Sequence, residues 1–155
     1  MSFNPYQPVS MGTTLISIKY NGGVIMASDC MTSSGNFISD RAAKKVMELS
    51  PSPLSFGSIK VIRCGTAAHS QMVSRFVYNY LNMYCMELEE NDRLSIETVV
   101  QLYKTIMYNN KNVLSCAFII TDGQKVYSVS SGGMTCEHPV YAVNGSGSTY
   151  VVGLI

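Results

Sequence analysis

Thr13 lies in Met11-Gly12-Thr13-Thr14, where a short polar leader gives way to the first apolar strand. If the Gly12–Thr13 bond is cut, Thr13 carries a hydroxyl nucleophile and a free α-amine on one residue. Such an amine titrates at about 7.7–8.0, so it can accept the hydroxyl proton near neutral pH without a histidine partner. Asp29 and Lys45 complete a coherent set. An ammonium near the hydroxyl favours its ionised form, and a carboxylate holds that ammonium in place. Gly65, where a strand ends and a helix begins, offers a backbone N–H suited to stabilising an oxyanion. Together these residues point to nucleophilic hydrolysis by a threonine.

Other chemistries find less support. His69 and His138 lie far apart without metal-ligand spacing, so no metal is expected. The five cysteines, Cys30, Cys64, Cys85, Cys116 and Cys136, are odd in number and contain no C-x-x-C pair, which disfavours a disulfide framework and a zinc site. Gly145-Ser146-Gly147-Ser148 lacks both the Lys-Ser/Thr ending of a P-loop and the full G-x-G-x-x-G spacing, and reads as a tight turn at a helix start. A G-x-S-x-G elbow is absent as well, and no cofactor is expected.

The elements that must position this set follow from periodicity. Ile16, Ile18 and Tyr20 alternate with Leu15, Ser17 and Lys19 as in a strand with unequal faces. Asn21-Gly22-Gly23 supplies positive-φ residues for a tight hairpin, and Val24 to Ala27 returns as a buried strand. If Asn21-Gly22 are the two central turn residues, Thr14 faces Asp29; if the loop includes Gly23, Leu15 does. Either register brings Asp29 to within a residue or two of Thr13. Met31 to Phe37 reads as a loop or irregular strand leading into Ile38-Ser39-Asp40-Arg41. Lys45 precedes a short strand, Val46 to Leu49, expected beside the first hairpin. Pro51, Pro53 and Gly57 mark a break at a hairpin tip, and Ile59 to Cys64 is a further strand.

A long helix is predicted from about Thr66 to Glu90, with Ala68, Met72, Phe76, Leu81 and Met83 or Tyr84 on its apolar face. After an interruption at Asn91-Asp92, Ser95 caps a second helix carrying Val99, Leu102, Tyr103, Ile106 and Met107 on one stripe, ended by Asn109-Asn110. Ala117–Thr121 and Val126–Val129 form a hairpin around Asp122-Gly123. Gly132-Gly133 marks another turn, Pro139–Val143 a last strand, and Thr149–Ile155 a helix or strand. Strands, two consecutive helices and strands again make an α+β domain over residues 13–155, behind a leader of residues 1–12.

The chain has 155 residues, 46% of them hydrophobic and 14% charged, enough for one domain with a substantial core. A net charge of +1 gives no support for an extended phosphate-binding face, so nucleic acid is an unexpected partner. High apolar content with few charges instead suggests a surface partly covered by other chains. The leader has neither a basic cluster nor an apolar core of signal-peptide length, and no apolar run is long enough to span a bilayer. An intracellular, soluble protein is expected, with no membrane partner.

Thr13-Thr14, Asn21-Gly22-Gly23-Val24, Ala27-Ser28-Asp29, Thr32-Ser33-Ser34-Gly35, Arg41 and Lys45 together resemble the N-terminal half of a catalytic proteasome β subunit. Gly65-Thr66-Ala67-Ala68, Tyr127-Ser128-Val129, Gly132-Gly133-Met134 and Gly145-Ser146-Gly147-Ser148 follow in the family's order. The resemblance covers essentially all of 13–155. It implies an N-terminal nucleophile hydrolase fold, a four-layer α/β/β/α sandwich, and assembly with other α and β subunits into the heptameric rings of the 20S core particle in cytoplasm and nucleus. It makes Thr13 the nucleophile freed by self-cleavage after Gly12, with its α-amine as proton acceptor. Asp29 and Lys45 match the family's carboxylate and ammonium, Gly65 its oxyanion donor, and Ser146 the serine that supports the threonine amine. Ser33 and Ala67 match backbone positions that pair with an extended, unfolded peptide substrate. Arg63 aligns with the base of the first specificity pocket, alongside Ala43 and Met47. An arginine there can grip a carboxylate bidentately, which resembles the caspase-like catalytic subunit and implies cleavage after acidic residues.

The sequence departs from the family in three places. Met31 stands where an arginine is usual, and Pro51–Ser58 is longer than usual. Family members also continue for several tens of residues beyond the position of Ile155, adding helices, strands and a second aspartate and serine near the threonine amine. The expectation is therefore a C-terminally incomplete fold, with an inactive fragment or a non-catalytic structural β-type subunit as the alternative to a working protease.

Overall fold

The computed structural model describes residues 12–34, 37–49, 58–87 and 94–155. The leader before Gly12, the Pro51–Gly57 break and the Asn91-Asp92 interruption lie outside the described residues. Ten strands and three helices run in the order β1 (Leu15–Tyr20), β2 (Gly23–Ser28), β3 (Thr32–Ser34), β4 (Phe37–Asp40), β5 (Val46–Glu48), β6 (Lys60–Gly65), α1 (Ala67–Glu87), α2 (Ile96–Asn109), β7 (Cys116–Thr121), β8 (Val126–Val129), β9 (Thr135–Glu137), β10 (Tyr141–Asn144) and α3 (Ser148–Val152) among these residues.

The first hairpin takes the shorter of the two open registers. Tyr20 pairs with Gly23 and Leu15 with Ser28, so the Asp29 N–H donates to the Thr14 carbonyl at 3.2 Å. Only Gly23 has a positive φ there, +142°; Asn21 and Gly22 do not, contrary to the expectation for all three. Thr32–Ser34 is the irregular strand of the two expected forms: as β3 it pairs antiparallel with β4 (Phe37–Asp40), with a register shift between Thr32 and Ser33.

Strands assemble as a three-stranded sheet β10-β1-β2, the β3-β4 ribbon and a five-stranded sheet β5-β6-β7-β8-β9. The strand following Lys45 thus pairs with β6 and not with the first hairpin, and Val46 faces Ile62. β9, short and at a sheet edge, was not expected. Period-two alternation divides the central strands between two cores. Val61, Cys116, Phe118 and Ile120 face α1 and α2, whereas Ile62, Cys64 and Ile119 meet Leu15 and Ala142 of the other sheet. The layers run α1/α2, five-stranded sheet, three-stranded sheet, with α3 beginning beside β10.

α2 matches its predicted stripe closely. The Ser95 hydroxyl accepts from the Thr98 N–H at 3.2 Å, and Val99, Tyr103 and Met107 are buried. Tyr103 packs against Phe118 with ring centroids 4.7 Å apart and planes tilted by 50°. α1 differs from its prediction: Met72, Phe76 and Met83 are more than half exposed, and the buried face is Ser70, Val73, Ser74, Val77 and Leu81. Small serines let the helix approach the sheet closely, and their hydroxyls are satisfied: Ser70 accepts from Arg63 of β6 and donates to the Ala67 carbonyl one turn back, and Ser74 accepts from Tyr103 of α2. No helix among the described residues is long and apolar enough to cross a membrane.

Candidate active site

Hairpin register, the β5–β6 pairing and the turn before α3 converge on Thr13, which is only 7% exposed. Lys45, equally buried, donates from Nζ to Thr13 Oγ1 at 3.2 Å and to Asp29 Oδ2 at 2.7 Å. Asp29 is fixed in turn by backbone donors, Thr14 N–H to Oδ1 at 2.8 Å and Met31 N–H to Oδ2 at 3.1 Å. Met31 thus contributes to the site through its backbone N–H. Its side chain is exposed and lines the cleft.

Burial opposes ionisation of Asp29, but the Lys45 hydrogen bond, the two backbone N–H groups and the Lys45 charge outweigh it and hold the carboxyl below its usual range. The sign of the linkage follows. A carboxyl with a lowered native pKa adds stability above its unfolded value, about 3.9, and loses it as pH falls through the native value. Asp29→Asn should therefore flatten the acid limb of the stability–pH curve below about pH 5. Urea unfolding at a series of pH values checks this, and an acid limb identical to that of the parent contradicts it.

The turn at Gly145-Ser146-Gly147 closes the other side. Thr13 N–H donates to Ser146 Oγ at 3.2 Å, and Gly147 N–H donates to the Thr13 carbonyl at 3.3 Å. Gly145 has φ +91°, and a Cβ there would collide with the Thr13 carbonyl; one at Gly147 would collide with Thr14. Both glycines are requirements of close approach to the threonine, a role that reading the segment as a turn did not reveal. The Gly-x-Gly spacing was visible, but its partner lies some 130 residues earlier in the chain.

A cleft of about 370 Å³ opens over Thr13. Gly12, Ser33, Ala43, Lys45, Arg63, Gly65 and Ala67 all line it, so sequence-predicted positions from four separate stretches of the chain meet there. Ser146 lies on the adjoining face, next to Thr13 and Gly65. Met47 is the exception: its side chain faces a second pocket behind Arg63 instead of the cleft. Thr32, Asp40, Lys44, Ser70 and Gln71 also line the cleft and were not singled out from sequence. Thr32 and Asp40 arrive through the pairing of β3 with β4, Ser70 and Gln71 through the rotation of α1, and Lys44 as the neighbour of Lys45. Cys64, a second potential nucleophile on the wall, is inert at neutral pH because burial pushes its thiol up to about 11. No cluster of side chains suited to a metal occurs among the described residues.

The sequence has relatives. The sequence pattern of the proteasome subunit family matches residues 9–155, nearly the whole chain. This chain belongs to the proteasome subunit family. It is 35% identical over 99% of its length to proteasome subunit beta type-6 of Arabidopsis thaliana, of which it spans 64%. It is 33% identical to the probable proteasome subunit beta type-1 of Schizosaccharomyces pombe, covering 94% of the chain and 62% of that protein. Identity to proteasome subunit beta type-1 of Saccharomyces cerevisiae is 31% over 94% of the chain and 65% of that protein. The chain thus spans about two thirds of the length of these β-type relatives. Its α+β fold is the N-terminal nucleophile hydrolase fold of the proteasome family.

Proposed function

We propose that this chain is a threonine-type endopeptidase subunit of the 20S proteasome core, self-processed at Gly12–Thr13 and cleaving unfolded polypeptides after acidic residues. The observation that carries the reading is Lys45 Nζ, shared between Thr13 Oγ1 at 3.2 Å and Asp29 Oδ2 at 2.7 Å in a nearly buried site. A positive charge beside the hydroxyl lowers the cost of forming the alkoxide, and the carboxylate orients the Lys45 side chain.

Processing follows from attack of Thr13 Oγ1 on the Gly12 carbonyl carbon. The C–N bond breaks, the acyl group passes to the oxygen, and the nitrogen takes a proton to become the α-amine; water then hydrolyses the ester. Against a peptide, the freed amine accepts the hydroxyl proton and later returns it to the leaving amine, while Gly65 N–H faces the developing oxyanion. Ser146, already bonded to Thr13 N, orients that nitrogen. An extended substrate pairs with the backbone at Ser33 and Ala67. Ring neighbours of α and β type complete the assembly, in cytoplasm and nucleus.

Arg63 supports the acidic preference. Its NH1 donates to Ser70 Oγ and its NH2 to the Lys44 carbonyl, both at 3.1 Å, and no carboxylate among the described residues pairs with it. Neutral partners fix the guanidinium without using up its charge, so further donors remain for a substrate carboxylate. Asp40, the carboxylate on the cleft wall, caps the Ala42 N–H at 2.8 Å. Peptides differing only in Glu, Lys or Phe before the cut test the assignment in assembled particles. Arg63→Met should reduce kcat/KM for the Glu peptide by about ten- to hundredfold, the value of a charge-assisted hydrogen bond, and spare the Phe peptide. Undiminished cleavage after Glu in the variant would overturn it.

A further inference from the structure

Arg63 is a partition as well as a pocket base. Reaching from β6 to Ser70 on α1 and to the Lys44 carbonyl before β5, it separates the active-site cleft from a second pocket of about 280 Å³. Lys44, Arg63 and Gln71 line both. The second pocket adds Arg75, and α1 presents Gln71, Ser74, Arg75 and Tyr78 to it at i, i+3, i+4 and i+7, one helical face. Val46, Met47 and Tyr78 give it apolar walls, while Lys44, Gln71 and Arg75 are exposed, so it is open to ions from solvent. Lys44, Arg63 and Arg75 bring three cationic side chains to its lining, and no carboxylate among the described residues joins them.

We propose that this rear pocket binds a small free oxyanion of phosphate size, held by Arg63, Arg75 and Lys44, and that its occupancy weakens cleavage after acidic residues by neutralising Arg63 from behind. Arginine forks suit tetrahedral and planar oxyanions, and Gln71 supplies a neutral donor at the boundary. The anion competes for the charge of Arg63 without touching Thr13, so its effect falls on KM for acidic substrates. The regulatory half of the proposal rests on the acidic preference above; the binding half does not.

Inorganic phosphate is the probe, with particles containing this chain and ionic strength held constant. Equilibrium dialysis should show a saturable phosphate component in the parent that is weakened about threefold or more by Arg75→Gln, the loss of one half-screened charge. Phosphate should raise KM for the Glu peptide in the parent, leave kcat and the Phe peptide unchanged, and lose this effect in the variant. Arg75→Glu, which places a carboxylate beside the pocket, should raise the same KM with no phosphate added. Equal phosphate binding by parent and Arg75→Gln overturns the site. Binding that depends on Arg75 but leaves KM for the Glu peptide unmoved overturns the regulation alone. If no acidic peptide is cleaved at all, the specificity reading has failed, and the dialysis result still decides the site.

Discussion

Thr13→Ala should leave the Gly12–Thr13 bond uncut and lower hydrolysis of an acidic reporter peptide by about 10⁴- to 10⁶-fold, the loss typical of removing a covalent nucleophile. Thr13 is held at both reacting atoms, Lys45 at its hydroxyl oxygen and Ser146 at its nitrogen. Alanine keeps the nitrogen and removes the oxygen, so the support remains with nothing to act on. Thr13→Ser restores both atoms and should recover processing and most of the activity. Since Thr13 is buried, the lost methyl carries a packing cost, about 1 kcal/mol or less, too small to mimic loss of the nucleophile. Single-site variants in otherwise parental particles, assayed on the Glu peptide, separate these outcomes. Equal activity in the alanine and parental chains would remove Thr13 from the chemistry.

Lys45→Met has the second largest expected effect, about 10³-fold in kcat, the scale of one preorganised charge at a developing anion. Methionine fills much of the aliphatic stem's volume but supplies no charge to Thr13 Oγ1. It also leaves Asp29 with its Thr14 and Met31 donors alone, so the carboxyl should shift upward relative to the parent. Two readouts therefore move together: kcat falls, and the acid limb of stability shifts to higher pH. A stability change without a fall in kcat would make Lys45 a structural residue only.

What could be read from the chain was what is local or strongly periodic. The Asn21-Gly22 turn confined Asp29 to two registers, both beside Thr13, and the observed one sets Asp29 opposite Thr14. The second helix was legible because its cap and apolar stripe agree. α1 was misread because its largest side chains, Met72, Phe76 and Met83, face outward while its serines face the sheet. Hydrophobicity alone assigns serine to the surface; here Ser70 and Ser74 each accept from a donor that only the tertiary structure supplies, Arg63 and Tyr103. The misreading hid Gln71 and Arg75, and with them the rear pocket. Lys45 was expected beside Thr13 and Asp29, where it lies, but on the wrong sheet, since a three-residue strand carries no signal for its partner. Gly145 and Gly147 were seen as turn formers; their approach to Thr13 and Thr14 is a long-range contact that spacing cannot encode.

The most direct test is the mass of this chain recovered from assembled particles, together with its N-terminal residue. A catalytic threonine requires its α-amine to be free, so the chain should begin at Thr13, and Thr13→Ala should retain Gly12. A parental chain recovered with the Gly12–Thr13 bond intact would contradict the account at its centre.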